Sequence, residues 1–255
     1  MPHCLQKECD DLNRIFFHYI TTKTPYVVLK TAMSLDGKTA TATGESQWIT
    51  GEDARADVQT LRHRLKGILV GIGTVLADDP RLTCRMEGGV DPVRIIADSH
   101  LRTPLNANVL KDQEKNQTII AALKDCDKKK KQALEDKGAL VLLCRERDGH
   151  LDLRDLMAQL GERKIDSILL EGGSTLNDAA VRQGIVKEVI AYIAPKIIGG
   201  KDAKTPVDGT GFQKLGDAVP LTDMRCENIG EDLKVTALVK DPSSEKEGLP
   251  CSRES

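Results

Sequence analysis

Ile168-Leu-Leu-Glu-Gly-Gly-Ser-Thr-Leu176 is an apolar run that ends on an acid, a glycine pair and two hydroxyl residues. Ile168 to Leu170 has the character of a strand buried on both faces, and Ser174 opens a stretch of helical periodicity. The glycines between them let the backbone turn sharply and approach a ligand closely. A strand, a glycine turn and a helix in that order form the unit of a parallel sheet. The free amides and dipole of such a helix start favour an anion. A tight turn capped by Ser or Thr explains the glycines equally well, but it leaves the acid at the strand end unexplained.

The same alternation runs outward in both directions. Strands are predicted at 26–32, 68–72, 93–97, 118–123, 139–143 and 167–170. Helices are predicted after Thr50, through Ala54, Val58, Leu61 and Leu65, and near 127–137, 151–161 and 174–184. Thr50 followed by Asp53 resembles a capping box for the first of these, with Asp in place of Glu. Near the end, 189–193 and 233–239 read as strands with no helix between them, which fits an antiparallel edge. The expected fold is α/β, a mixed and mostly parallel sheet flanked by helices. Residues 1–24 read as a helical lead-in with Leu12, Ile15, Phe16 and Tyr19 on one side, 25–240 as the main domain, and 241–255 as a disordered polar tail.

Composition narrows the function. The 255 residues carry 37 basic and 39 acidic side chains, a net charge of −2, and no basic block longer than Lys128 to Lys131. A nucleic-acid surface needs clustered positive charge, so none is expected. No apolar run reaches the ~20 residues of a membrane span. The seven cysteines are scattered without a Cys-x-x-Cys pair, which favours free thiols over a disulfide framework or a zinc site. The N-terminus carries acids where a signal or transit peptide has none, and the cytoplasm is the default.

Two further strand ends resemble ligand segments, since ligands gather beyond the carboxyl ends of strands in open α/β sheets. Leu29 to Gly37 ends a strand on Lys30 and small residues and runs on to Gly44-Glu-Ser-Gln-Trp48; it leaves room for a flat ring, or is a surface loop whose Trp48 packs on the core. Val70-Gly-Ile-Gly-Thr-Val-Leu-Ala-Asp-Asp-Pro80 offers a Gly-x-Gly turn and Thr74 at a helix start. It is not the dinucleotide fingerprint, because Leu76 stands at the third glycine's place. Asp78 and Asp79 either serve a ligand or cap a short helix. Arg62, Arg81 and Arg85 suit a phosphate by their planar fork, or form surface ion pairs. The five histidines show no ligand spacing.

Together, LKTAMSLDGKTAT, GESQWIT, GTVLADDPRLT, ADSHLRTP, LLEGGSTL and YIAPKIIGG resemble, in order, the reductase domain of the bifunctional riboflavin-biosynthesis deaminase/reductase family. The resemblance runs from about Tyr26 to Val239. It implies a dihydrofolate-reductase-like three-layer fold, NADPH as hydride donor, a homodimer, and 5-amino-6-(5-phosphoribosylamino)uracil as the phosphorylated substrate, whose ribosyl group becomes ribityl. By position, Ala32, Trp48, Thr74, Asp78, Ser99 and the segment Gly173, Ser174, Thr175, Leu176, Asn177, Asp178 and Ala179 correspond to the family's nucleotide contacts. Ser46, Arg62, Leu82, Arg85 and Glu171 correspond to its substrate contacts. Lys30, Asp78 and Glu171 form the expected catalytic set, with Lys30 beside the ribose and Asp78 orienting the nicotinamide end or relaying a proton. Ser99, with Arg102 nearby, is expected to receive the 2′-phosphate of NADPH.

The family's deaminase signature, His-x-Glu with Pro-Cys-x-x-Cys, is missing from these residues, so neither zinc nor deamination is expected. Glu8 to Asn13 resembles the very end of that deaminase, which leaves a stand-alone reductase, served by a separate deaminase, or a shortened version of the two-domain enzyme. The reductase acting before deamination, on the 2,5-diamino-pyrimidinone analogue, has the same fold. A non-catalytic NADPH-binding partner is the alternative from another class.

Overall fold

The computed structural model describes residues 5–240; the expected tail at 241–255 lies outside them. Helices α1 (Gln6–Leu12) and α2 (Arg14–Thr22) lead into β1 (Tyr26–Ser34). Then come α3 (Glu52–Arg64), β2 (Gly67–Gly71), α4 (Ile72–Asp78), β3 (Val93–Ala97), β4 (Thr118–Leu123), α5 (Lys128–Glu135) and β5 (Leu140–Cys144). A small hairpin, β6 (Glu146–Arg147) and β7 (His150–Leu151), precedes α6 (Leu153–Glu162), β8 (Ser167–Leu170), α7 (Ser174–Arg182) and β9 (Val186–Ala194). The described chain closes on the long hairpin of β10 (Leu221–Ile229) and β11 (Asp232–Val239).

One nine-stranded sheet runs β10-β11-β9-β1-β8-β2-β3-β4-β5. Strands β9 to β5 pair in parallel, and β11 alone runs against the rest, pairing antiparallel with β9 on one side and β10 on the other. This is the mixed, mostly parallel sheet flanked by helices that the alternation predicts. Its two faces follow from residue parity, because successive strand side chains point to opposite sides. Val27, Leu29, Leu69, Ile95, Ile119, Ile168 and Leu170 pack with α6 and α7. Ile68, Val70, Ile96 and Ile120 pack beneath α4 and α5, and Tyr26, Val28, Leu169, Ile190 and Tyr192 beneath α3. Covering both faces explains why β4 is buried at every position and reads as an unbroken apolar run.

Several sequence expectations need correction. The Thr50–Asp53 capping box does not form: α3 starts after Gly51 without a side-chain cap, and the Gly51 amide donates instead to Asp232 at 2.7 Å. The lead-in is two helices, broken at Asn13. Ile15 packs toward the α3 face and Tyr19 donates to the Gly161 carbonyl, whereas Leu12, in α1 before the break, and Phe16, in α2, are exposed, so only two of the four residues pack inward. Strand β10 and the β6–β7 hairpin were not predicted. The lysine run forms the first turn of α5, where Asp127 accepts from the Lys129 and Lys130 amides. All five described cysteines are free thiols.

Candidate active site

The three segments singled out at strand ends belong to β1, β8 and β2, which are neighbours in the sheet. Parity then decides which side chains meet. Lys30 continues the Tyr26, Val28 series on β1, Glu171 continues Leu169 beyond β8, and Tyr192 continues Ile190 on β9. All three therefore face α3, which presents Arg62.

Arg62 meets Glu171 as a planar fork, Nε to Oε1 at 2.8 Å and Nη2 to Oε2 at 3.0 Å, while its Nη1 donates to the Thr83 carbonyl. Lys30 Nζ lies 3.9 Å from the same carboxylate. The three side chains are only 13–16% exposed. Burial opposes the charge of Glu171, but Lys30 and Arg62, followed by Arg85, outweigh it and hold the carboxyl below its ordinary value. Conversely, burial disfavours the Arg62 cation, and Glu171 more than restores it. The result is a sealed, charge-rich patch at the end of β1 and β8, with two cations around one carboxylate.

A second group adjoins it. Tyr192, fully buried, donates its hydroxyl to Asp57 at 2.6 Å, and Lys234 Nζ reaches Asp57 at 2.8 Å and Glu227 at 3.2 Å. Burial, together with the Asp57 carboxylate, pushes the Tyr192 phenol well above its usual value. Lys30 Nζ lies 5.9 Å from the centre of the Tyr192 ring. Sequence reading assigned no role to Tyr192 or Asp57, although Tyr192 opens the YIAPKIIGG motif and shares its parity with Ile190.

The start of α7 is the helix start at which an anion contact is anticipated, from Gly172 to Thr175. It has no side-chain cap on Gly173, so its first amides are free. The neighbouring α4 contributes Gly71, where a Cβ would stand 3.7 Å from Leu176, and Thr74, whose hydroxyl would stand 3.9 Å from a Cβ on Gly173. Thr74 and Gly173 are thus brought together. Deeper in α7 the expected contacts turn inward: Leu176 and Ala179 pack on the core, Asn177 is buried and donates to the Pro206 carbonyl, and Asp178 pairs with Arg182 at 2.9 Å. The Gly173 backbone and the Ser174 and Thr175 side chains remain at least partly exposed.

Other expected residues scatter. Asp78 is exposed at the end of α4 and forms no ion pair with Lys30, whereas Lys30 and Glu171 meet together with Arg62. Leu82 is 4% exposed and belongs to the core, which leaves its backbone alone for a ligand. Ser46 is exposed and makes no hydrogen bond to Arg62 or Arg85. Trp48 is exposed, with the Arg55 guanidinium 4.7 Å from its ring centre; it does not pack on the core. Arg85 is exposed, its amide held by Gln59. Ala32 is half-buried beside Tyr192, its register partner on β9. Ser99 is half-buried at the end of β3, in a loop organised by buried Asp98, which accepts from the Arg102 and Thr103 amides. Among the described residues no cluster of three His, Cys, Asp or Glu side chains is arranged to hold a metal ion, and no helix is long and apolar enough to cross a membrane.

Largely buried cations at neighbouring strand ends, with an uncapped helix start beside them, mark the candidate small-molecule site of an α/β protein. Residues 25–235 match the RibD C-terminal domain model, and the chain belongs to that family. It is 51% identical over 238 residues to the riboflavin biosynthesis protein RibD of Actinobacillus pleuropneumoniae, covering 93% of this chain and 63% of that protein. It is 43% identical over 219 residues to the 2,5-diamino-6-ribosylamino-4(3H)-pyrimidinone 5′-phosphate reductase of Methanothermobacter thermautotrophicus, covering 85% of this chain and 99% of that one. Among solved structures, RibD of Acinetobacter baumannii matches with a TM-score of 0.78 at 31% identity, over 91% of this chain and 63% of that one. The chain therefore spans about 63% of the length of the RibD proteins it matches.

Proposed function

We propose that the chain is an NADPH-dependent reductase of riboflavin biosynthesis, reducing the ribosyl group of 5-amino-6-(5-phosphoribosylamino)uracil to ribityl. The observation that carries the reading is the Lys30–Glu171–Arg62 cluster, sealed at a strand end beside the uncapped start of α7. The residues fit a dinucleotide there. Gly172 is packed so closely that a Cβ would stand 2.8 Å from Asn177 Oδ1, while Gly173 is exposed and opens the free amides of α7 to an anionic group. Ser99, Thr74, Ala32, Trp48 and Asp78 complete the proposed cofactor contacts.

When bound, NADPH supplies the hydride. The chain's own residues fix the sugar: Lys30 donates to ribose oxygens, and Glu171, held rigid by Arg62, orients the open form. Arg85 and the remaining Arg62 donors, with Ser46 and the Leu82 backbone, bind the substrate phosphate. A cytoplasmic homodimer, supplied by a deaminase acting in the same pathway, is the proposed context.

The archaeal relative, matched over nearly its whole length, favours a second reading, reduction before deamination. Loss of NADPH absorbance with each of the two pyrimidine phosphates decides. Turnover of the uracil alone supports the first reading, turnover of the diamino compound alone supports the second, and turnover of neither overturns both.

A further inference from the structure

We infer that Tyr192 is a positioning residue, held by Asp57 and Lys234, whose ring face fixes the Lys30 ammonium beside Glu171. The inference rests on the proposed reductase reading for its kinetic readout only.

Lys30 has little else to fix it. Its contact with Glu171 is 3.9 Å long, at the limit of an ion pair, because Arg62 already occupies the carboxylate with two short bonds. A four-carbon side chain so loosely paired keeps several rotamers unless a second surface restricts it. The Tyr192 ring is that surface, 5.9 Å from Nζ to its centre, within the range of a cation–π contact, and the Lys30 side chain is only 16% exposed. Adjacent strands set the approach, since Lys30 pairs in register with Ile190, two residues from Tyr192 on the same face.

The ring is itself immobilised. Tyr192 is 0% exposed, and its O–H···Oδ2 bond to Asp57 is charge-assisted and short at 2.6 Å, which removes rotation of the phenol and pushes electron density into the ring. Asp57, half-buried, keeps its charge beside Lys234, 2.8 Å away. The order of support therefore runs from Lys234 on β11 through Asp57 on α3 to Tyr192 on β9 and Lys30 on β1.

Three measurements test it. Tyr192→Phe keeps the ring and should retain kcat within about threefold, whereas Tyr192→Met stays apolar and flexible, loses the ring and should lower kcat about tenfold, the rate equivalent of ~1.4 kcal/mol. The NADPH dissociation constant by calorimetry should stay within about twofold in both, because Lys30 is assigned to the substrate's sugar and not to the cofactor. Independently of any activity, the Lys30 Hε protons of the unmodified protein, assigned by comparison with Lys30→Gln, should show an upfield ring-current shift. An unshifted Lys30 signal, or a folded Tyr192→Met protein with unchanged kcat, overturns the inference. If Tyr192→Met does not fold, the ring-current shift alone decides. If the unmodified protein oxidises no NADPH with either pyrimidine phosphate, the functional reading fails while the shift still tests the placement of Lys30.

Discussion

The guanidinium of Arg62 directs two N–H groups at Glu171 and a third at the Thr83 carbonyl, so its removal acts on the fold and on the substrate together. Arg62→Ala leaves a carboxylate that is 13% exposed with Lys30 as its only close cation. The expected destabilisation is about 2–4 kcal/mol, near the range for breaking a buried pair from one side, and Glu171→Gln in the same background should recover part of it. Urea unfolding measures both. The sign with pH follows from the depressed carboxyl of Glu171: its contribution is fully present above the unfolded carboxylate value and is lost as pH falls through the lower folded value. Arg62→Ala should weaken that dependence. Arg85, exposed, has no such structural duty. Arg85→Ala should change stability by less than about 0.5 kcal/mol and yet raise substrate KM, by about 1.5–3 kcal/mol if it binds the phosphate. Asp36 gives a third residue-scale outcome. It accepts from Ser34 Oγ and from the Ile198 and Gly199 amides, first the hydroxyl and then the two amides drawing its carboxyl down to about 2. Asp36→Asn should speed amide exchange at Ile198 and Gly199 at neutral pH, where the native staple is charged and intact. Its contribution disappears only as pH falls below the unfolded carboxylate value and through about 2.

Elements differ in how much of themselves the sequence declares. Parallel strands such as β4, buried throughout, announce themselves as apolar runs, and the helices between them by periodicity. Strand β10 is exposed at eight of its nine positions, so Leu221-Thr-Asp-Met-Arg-Cys-Glu-Asn-Ile229 has no apolar face to read; its pairing with β11 comes from backbone bonds. The start of α3 was misread for a related reason: the partner of Gly51 is Asp232, 181 residues away, and no local pattern records it. The contrast is testable. Thr50→Ala should alter stability by less than about 0.5 kcal/mol, whereas Asp232→Ala, which removes a buried charged acceptor, should cost about 1.5–3 kcal/mol; thermal or urea unfolding separates them. The site divides in the same way. Lys30, Glu171 and Arg62 stand out as charges at strand ends or on the facing helix, but that Arg62 grips Glu171 depends on α3 crossing the face of the sheet that carries Val28, Leu169 and Ile190. Leu82 and Asp78 show the converse, residues of a recognisable motif whose side chains the fold directs into the core and into solvent.

At the scale of the molecule the order β1-β8-β2-β3 turns scattered segments into a line along one edge. Lys30 and Glu171 stand at β1 and β8, the free start of α7 and Thr74 at β8 and β2, and Ser99 at β3. Three inter-strand gaps of about 4.8 Å make this line about 14 Å long, a length that an extended dinucleotide can bridge. Under the proposed reading the reacting end lies at β1, the linking phosphates at the helix start, and the 2′-phosphate at β3. The β3 loop is built for a fixed geometry, because the Asp98 carboxylate holds the Arg102 and Thr103 amides at 2.9 and 2.8 Å while the Arg102 side chain remains exposed. A guanidinium and the Ser99 hydroxyl beside it distinguish a phosphate from a free 2′-hydroxyl by charge-assisted bonds. NADPH should therefore bind more tightly than NADH, and Arg102→Ala should narrow the difference by roughly tenfold or more, as expected for one bond to a charged group. The change should fall on NADPH, with NADH affinity nearly constant. Calorimetry with both nucleotides checks this, and equal affinities in the unmodified protein would move the 2′-phosphate away from β3.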